Sequence, residues 1–189
     1  MGAFLFRNRG WLPVPALTVL LVFCRPLGPV TAMGLAFLPL GLLIRLWAML
    51  HIGPDARKKE VFVQKLVYTG PYELSRNPLY IANILTYTGI GLATLGLLGA
   101  LVALVMSSIY YSAIVRHEEA ELGRRLGEVY RSYRNRVPRW MGESAPVHAA
   151  APKGGMEDRL TRALRAERST FVVALLVTAA IFLRAGTVG

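Results

Sequence analysis

The sequence predicts an all-α integral membrane protein with about five transmembrane helices, and three observations lead there. Hydrophobic residues make up 54% of the 189 positions, with a mean hydropathy of +0.43, a balance that points to the bilayer before any motif is read. Those residues come in long uncharged blocks. The 22 Lys and Arg, set against 11 Asp and Glu, gather in alternate connections between the blocks, as basic loops do on the cytoplasmic side of a membrane.

The first block covers about 11–24. Arg7 and Arg9 precede it as in a secretory leader, but Pro13 and Pro15 lie inside it and no small-residue cleavage pattern follows Cys24, which favours a retained anchor. The second covers about 28–52: Pro26 to Ile44 is uncharged, Arg45 interrupts, and Leu46 to Ile52 continues until Gly53 and Pro54 stop the helix. Asp55 to Lys59 is polar enough for water, and Glu60 to Val67 alternates loosely, compatible with a short strand or an interfacial segment. The longest block, Leu79 to Val115, contains no Asp, Glu, Lys, Arg or His. As one helix it would run roughly 55 Å against a hydrocarbon core about 30 Å thick, so a hairpin of two spans is predicted, about 78–95 and 98–115. Gly89, Gly91, Gly96 and Gly99 offer the turn.

Beyond the hairpin, Leu122, Leu126, Val129, Tyr130 and Tyr133 repeat at the spacing of one helix face, with Glu118 and Glu119 near that face and Arg124, Arg125, Arg131 and Arg134 around it. This is the pattern of a helix at a headgroup surface; a solvated helix laced with pairs such as Glu121 and Arg125 fits it as well. Residues 1–140 thus form the membrane core. Residues 141–155, rich in Ala, Pro and Gly, read as a linker. Residues 156–189 read as a basic amphipathic helix, with Leu160, Ala163 and Leu164 on one side, running into a last apolar segment at 169–183.

With the N-terminus inside, the inner segments hold Arg7 and Arg9, then Arg57, Lys58, Lys59, Lys65 and Arg76, then twelve Lys and Arg between Arg116 and Arg168; outside are only Arg25 and Arg184. The basic excess is therefore read as a topology signal and an attraction to anionic lipid headgroups, not as a nucleic-acid surface. One cysteine excludes an intramolecular disulfide, and His51, His117 and His148 lack metal-ligand spacing, so no metal is expected. The Gly89 to Gly91 repeat has no strand before it and reads as close helix packing.

The polar residues left over converge. The stretch TGPYELSRNPLY, Thr69 to Tyr80, opens one arm of the hairpin and Arg116 to Glu119 closes the other, so topology puts them on the same side of the membrane. Asn77 before Pro78 is a helix N-cap with proline at the first position, a start whose free N–H groups favour a carboxylate or phosphate, and Arg76 adds a bidentate donor. Arg45, an ionic residue inside an apolar run, is a functional suspect by position.

The pattern TGPYxxxRNPLY, a hairpin, then EExxLxxxxGxxYxxYxxRVPR resembles the integral-membrane methyltransferase superfamily of isoprenylcysteine carboxyl methyltransferases and phospholipid N-methyltransferases. The resemblance covers about Lys65 to Arg139. It implies a cytosolic-face pocket for S-adenosylmethionine, built by a loop and an interfacial helix from Lys65, Leu66, Val67, Gly70, Tyr72, Asn77, Pro78, Tyr80, Glu118 and Glu119. It also implies a catalytic or acceptor end at Arg76, Glu119, Tyr130, Tyr133 and Arg136, and a membrane lipid or lipid-like acceptor, a phospholipid amine or a prenylated carboxylate. Isoprenylcysteine members commonly have His at the Lys65 position and RHP at Arg76, Asn77 and Pro78; the RNP form looks more like the phospholipid side and bacterial relatives, and a bacterial-type inner membrane is expected. Two other readings stay open: a sterol-type membrane reductase using NADPH, which shares a related helical scaffold, and a lipid-binding membrane protein without catalysis.

Overall fold

A computed structural model describes residues 2–26, 28–53, 66–142 and 155–188, and all regular structure among them is helical. Seven helices follow one another: α1 (Gly2–Arg7), α2 (Pro13–Val22), α3 (Pro29–Ile52), α4 (Pro71–Leu74), α5 (Pro78–Leu126), α6 (Glu128–Arg136) and α7 (Met156–Val188). Among the described residues α3, α5 and α7 are long and apolar enough to cross a bilayer. The protein is an integral membrane protein.

Helix α5 is the predicted hairpin. Its 49 residues contain a break at Leu95 and Gly96, where Gly96 takes φ 64°, a left-handed conformation that side chains disfavour. Arms 78–94 and 97–126 fold back so closely that a Cβ placed on Gly91 would lie 2.3 Å from the Gly99 carbonyl oxygen. The first arm also packs on α3 through small residues: a Cβ on Gly34 would meet the Ala93 nitrogen at 2.4 Å, and one on Gly89 would meet Cβ of Phe37 at the same distance. Between helices in lipid there is little hydrophobic drive, so close backbone approach and dispersion must hold them. Buried Thr31 donates to the Ala93 carbonyl at 3.0 Å across the same interface. Cys24, Leu38, Ile90, Ala93, Val177 and Ile181 join α3, α5 and α7 in one buried cluster, while Leu97, Leu98, Ile109, Leu175 and Leu183 point outward, as side chains facing lipid do.

Three expectations change. The span expected at 11–24 is a ten-residue helix, about 15 Å long and half of what crossing requires. The single face expected after Val115 is divided by Gly127, which takes φ 53° and ends α5; Leu122 and Leu126 pack with Tyr130, Tyr133 and Val137, but Val129 is rotated out to 60% exposure. The segment that could have been a strand has no regular structure at 66–68, and its residues 60–65, like linker residues 143–154, lie outside the described residues. By contrast, α7 runs unbroken from the amphipathic stretch into the apolar one.

Gly34→Ala should lower the thermal unfolding midpoint of the detergent-solubilised protein by several degrees, because backbone must move to admit the methyl. Gly123→Ala, whose new Cβ meets only a Tyr130 ring carbon at 3.9 Å, should hold or raise it, since alanine in a helix is favoured by roughly 0.5–1 kcal/mol.

Candidate functional site

The site begins at a single helical turn. Gly70 (φ 60°) precedes α4, and its N–H donates to Glu73 Oε1 at 3.0 Å. A Cβ at Gly70 would strike the His51 ring at 2.5 Å, so glycine is required here both for conformation and for space. The turn presents Tyr72, which is 5% exposed, and leads into Ser75, Arg76 and Asn77.

These three residues clasp the segment after α6. The Arg76 N–H donates to the Pro138 carbonyl at 3.0 Å, and Ser75 Oγ and Asn77 Nδ2 both donate to the Arg139 carbonyl, at 3.3 and 3.0 Å. The Tyr133 hydroxyl donates to the Tyr72 carbonyl at 2.8 Å. Asn77 holds the predicted N-cap position without a side-chain cap. Its carbonyl accepts from Tyr80 and Ile81 instead, so the chain itself uses part of the helix start expected to receive an anion.

At the centre of the clasp lies Glu119, 9% exposed. Arg76 donates from Nε and Nη2 to its Oε1, at 3.0 and 2.8 Å. Arg139 donates from Nε and Nη2 to its Oε2, at 3.1 and 2.6 Å. The remaining Arg76 nitrogen, Nη1, donates to the Arg134 and Val137 carbonyls. Burial acts to raise the Glu119 pKa, but the hydrogen bonds from Arg139 and Arg76 outweigh it and hold the carboxyl below its ordinary value.

Glu118 is set differently. It is one-fifth exposed, lies 3.8 Å from Arg9 Nη1 and is near the Tyr80 hydroxyl. Burial pushes its pKa up to about 7, against the opposing pull of Arg9 and the Tyr80 hydrogen bond. The adjacent carboxylates expected to act as a pair therefore occupy two environments.

A cavity of about 1060 Å³ joins this region to the membrane interior. At one end stand Leu66, Val67, Tyr72, Arg76, Asn77, Pro78, Tyr80, Glu118, Glu119, Tyr130 and Tyr133; toward the other, Leu17, Leu38, Val173 and Val177 form apolar walls. The Tyr72 hydroxyl is buried on this lining without a protein partner, and burial raises its pKa well above the ordinary value. Midway, Arg45 pairs with both oxygens of Glu167, at 2.8 and 3.0 Å, and with Asn83 Oδ1. Glu167 is 1% exposed, so the pair ties α7 to α3 and α5 inside the apolar layer.

Most of the residues expected at the site are thus brought together on one cavity. Gly70 stands behind it, shaping the loop. Arg136 does not reach it: that side chain is on the exposed side of α6, and Arg139, three residues on, takes the inward place. Lys65 lies outside the described residues. Arg139 ends the RVPR motif on which the resemblance rests, although the resemblance implies a role for Arg136; the chain leaves the helix at Val137, and Arg139 meets Glu119 beyond it. Glu167 gave only the signal of an acidic residue in a basic helix. Among the described residues no three His, Cys, Asp or Glu groups gather as a metal ion would need.

A helical membrane scaffold with a polar pocket at the ends of a hairpin defines a class. The chain belongs to the phospholipid methyltransferase family, whose profile matches residues 30–129, more than half its length. It is 34% identical over 94 residues to the nickel-cobalt-cadmium resistance protein NccN of Alcaligenes xylosoxydans xylosoxydans, covering 50% of this chain and 41% of that protein. It is also 33% identical over 106 residues to the cobalt-zinc-cadmium resistance protein CzcN of Cupriavidus metallidurans, covering 56% and 46%. The chain therefore spans less than half the length of either curated relative. No solved structure matches it.

Glu119→Ala should destabilise the solubilised protein by about 3 kcal/mol, since removing one partner leaves the arginines uncompensated in a buried place. Arg139→Ala, at a side chain 40% exposed, should cost about 1 kcal/mol or less. Thermal unfolding of the two variants side by side checks the ranking. Because the folded pKa of Glu119 is depressed, its contribution is complete above the unfolded value near 4.5 and is lost as pH falls through the folded one.

Proposed function

We propose that the protein transfers the methyl group of S-adenosylmethionine to a lipid or lipid-like acceptor held within the membrane. The observation that carries this reading is the single cavity, polar and carboxylate-bearing at the hairpin ends and apolar between α2, α3 and α7. Its 1060 Å³ lies at the upper end of the roughly 300–1,000 Å³ typical of small-molecule sites, in keeping with a large donor and the head of an acceptor. Family membership supports membrane methyl transfer in general, and the basic residues around the site support a cytosolic face and an N-terminus inside.

The residues present suit the donor. Leu66, Val67 and Tyr72 offer an apolar wall for the adenine, and the unpartnered Tyr72 hydroxyl offers a buried hydrogen bond. Glu118 offers a carboxylate to a cationic ligand, with Tyr80 beside it. Bound there, the donor supplies a methyl group on a sulfonium, and transfer in line disperses the charge. The chain's part is to hold two reactants in register, the largest contribution available to such a reaction. Arg76, Glu119, Arg139 and Tyr133 act as the frame: their hydrogen bonds hold the Gly70 to Pro78 loop against the end of α6, keep Tyr72 and Asn77 in place, and exclude water from behind the pocket. The apolar walls admit an acceptor laterally, with chain in the bilayer and reactive head toward Glu118. Among acceptors, the family match favours a phospholipid amine over a prenylated carboxylate.

Incubating the purified protein with methyl-labelled S-adenosylmethionine and total membrane lipid should give a labelled lipid, identified by chromatography and mass spectrometry. No label, together with spectroscopic binding of NADPH but not of S-adenosylmethionine, would assign the site to a reductase instead. The pH dependence is a second check. With the ligand-free Glu118 carboxyl near 7, a cationic ligand binds the ionised form, so calorimetric affinity for S-adenosylmethionine should tighten on the order of ten-fold from pH 5.5 to 7.5 as the carboxylate fraction rises. Glu118→Gln should flatten that dependence and weaken binding at pH 7.5.

A further inference from the structure

The membrane half of the cavity carries a polar station. Arg45 of α3 and Asn83 of the first α5 arm both stand on the lining, inside helices apolar enough to cross the bilayer. Asn83 lies five residues past Pro78, where α5 starts, and Arg45 seven before Ile52, where α3 ends. At 1.5 Å per residue both backbones are roughly 8–10 Å beyond the polar end of the cavity. Ionisable side chains at such depth are costly, and they characteristically mark a substrate path when they face a cavity. Joining α7 to its neighbours is not reason enough for the charges, because apolar packing of similar volume often holds buried elements as well or better.

The hydrogen bonds at this station fix what it offers. Glu167, buried and off the lining, takes Nε and Nη2 of Arg45 on its two oxygens, while Nη1 donates to Asn83 Oδ1. Arginine has donors only, so the Asn83 amide has one possible orientation: its oxygen faces Arg45, and Nδ2 with its two N–H groups is turned away. Among the described residues no protein acceptor meets Nδ2. Asn83 is half-buried on the lining, and its N–H donors are thus presented to whatever fills the cavity. The charges of Arg45 and Glu167 cancel, so a phosphate here would bring an unbalanced charge into the apolar layer. A neutral carbonyl oxygen would not.

We propose that Asn83, its amide oriented by Arg45, donates to an ester carbonyl of the acceptor, so that the cavity selects ester-linked glycerolipids over chains attached without a carbonyl. The inference rests on the methyl-transfer reading above and deepens it. With the reactive head toward Glu118, the ester groups of a glycerolipid come below the head where its chains begin, on the side of the cavity where Asn83 stands. A prenyl chain has no acceptor to offer there and would leave the amide N–H groups unpaired in an apolar place, which is costly. Arg45 and Glu167 are positioning residues. Glu167 lies in α7, outside the family-matched residues 30–129, so the setting of Asn83 depends on a segment beyond the part shared with the family.

Native mass spectrometry of the full chain in detergent tests this with two probes, dioleoyl phosphatidylethanolamine and the same lipid with ether links in place of the esters. Wild type should bind the diester roughly five-fold more tightly, as one hydrogen bond between uncharged groups allows. Asn83→Leu should bring the diester down to the affinity of the diether. Asn83→Asp keeps an oxygen for Arg45 but has no amide donor, so it should do the same, and it carries the test where Asn83→Leu fails to fold. Equal affinity of wild type for the two lipids overturns the inference, and so does a preference that survives both substitutions. Equal loss of both lipids in the variants overturns it too, since Asn83 would then only hold helices together. A labelled-methyl assay on the same lipids separates the two readings. No product from either lipid, with the ester preference intact, removes methyl transfer and keeps the ester contact; product from both, with equal binding, keeps methyl transfer and removes the ester contact.

Discussion

The structure depends on one buried carboxylate. Glu119 holds Arg76 and Arg139 on its two oxygens, and in doing so joins three stretches of chain that have no covalent reason to meet: the loop opening the hairpin, the helix closing it, and the segment beyond α6. A charge this far from water is tolerated only when paired and hydrogen-bonded, and the geometry here is bidentate on both sides. The arrangement fixes the positions of Tyr72, Ser75, Asn77 and Tyr133 around it. Without it the polar loop would be an interruption between apolar segments, with no fixed relation to the far arm.

The hairpin makes that meeting possible. Gly96 turns the chain, Gly91 and Gly99 let the arms touch, and Gly34 and Gly89 let α3 lie alongside. Small residues at helix contacts thus set the distance between residues about forty positions apart in sequence, and the ion pairs at the arm ends then settle the register. The Arg45 and Glu167 pair performs a similar task within the apolar layer, tying α7 to the rest through a contact whose loss would strand a charge in a low-dielectric place.

The neighbouring carboxylates show how little sequence adjacency says about chemistry. Successive helix positions point about 100° apart, so of two carboxylates on one cavity Glu119 is clasped by two arginines and depressed in pKa, while Glu118 lies by Arg9 and Tyr80 and is raised. One residue serves as frame and the other remains available to a ligand. The cavity has the corresponding polarity, with carboxylate and tyrosine hydroxyls at its mouth and aliphatic walls in the bilayer.

Much of this was legible in the sequence. Uncharged blocks too long for one crossing require a reversal, glycines mark where it falls, and a polar motif at one arm's start must adjoin the residues at the other arm's end. These inferences need only helix geometry and bilayer thickness. Periodicity failed at Gly127, because a single positive φ resets the helical phase; Val129, expected inward, therefore faces out. Block hydropathy likewise overestimated the segment at 11–24, since its prolines and flanks leave only ten helical residues. The sequence alone determined the membrane class, the hairpin and the meeting of two motifs, because those follow from length, polarity and local conformation. Only the tertiary structure decided which arginine holds which carboxylate and which carboxylate stands outside the double-arginine clasp, because ion pairing depends on side-chain directions and distances that adjacency in the chain does not set.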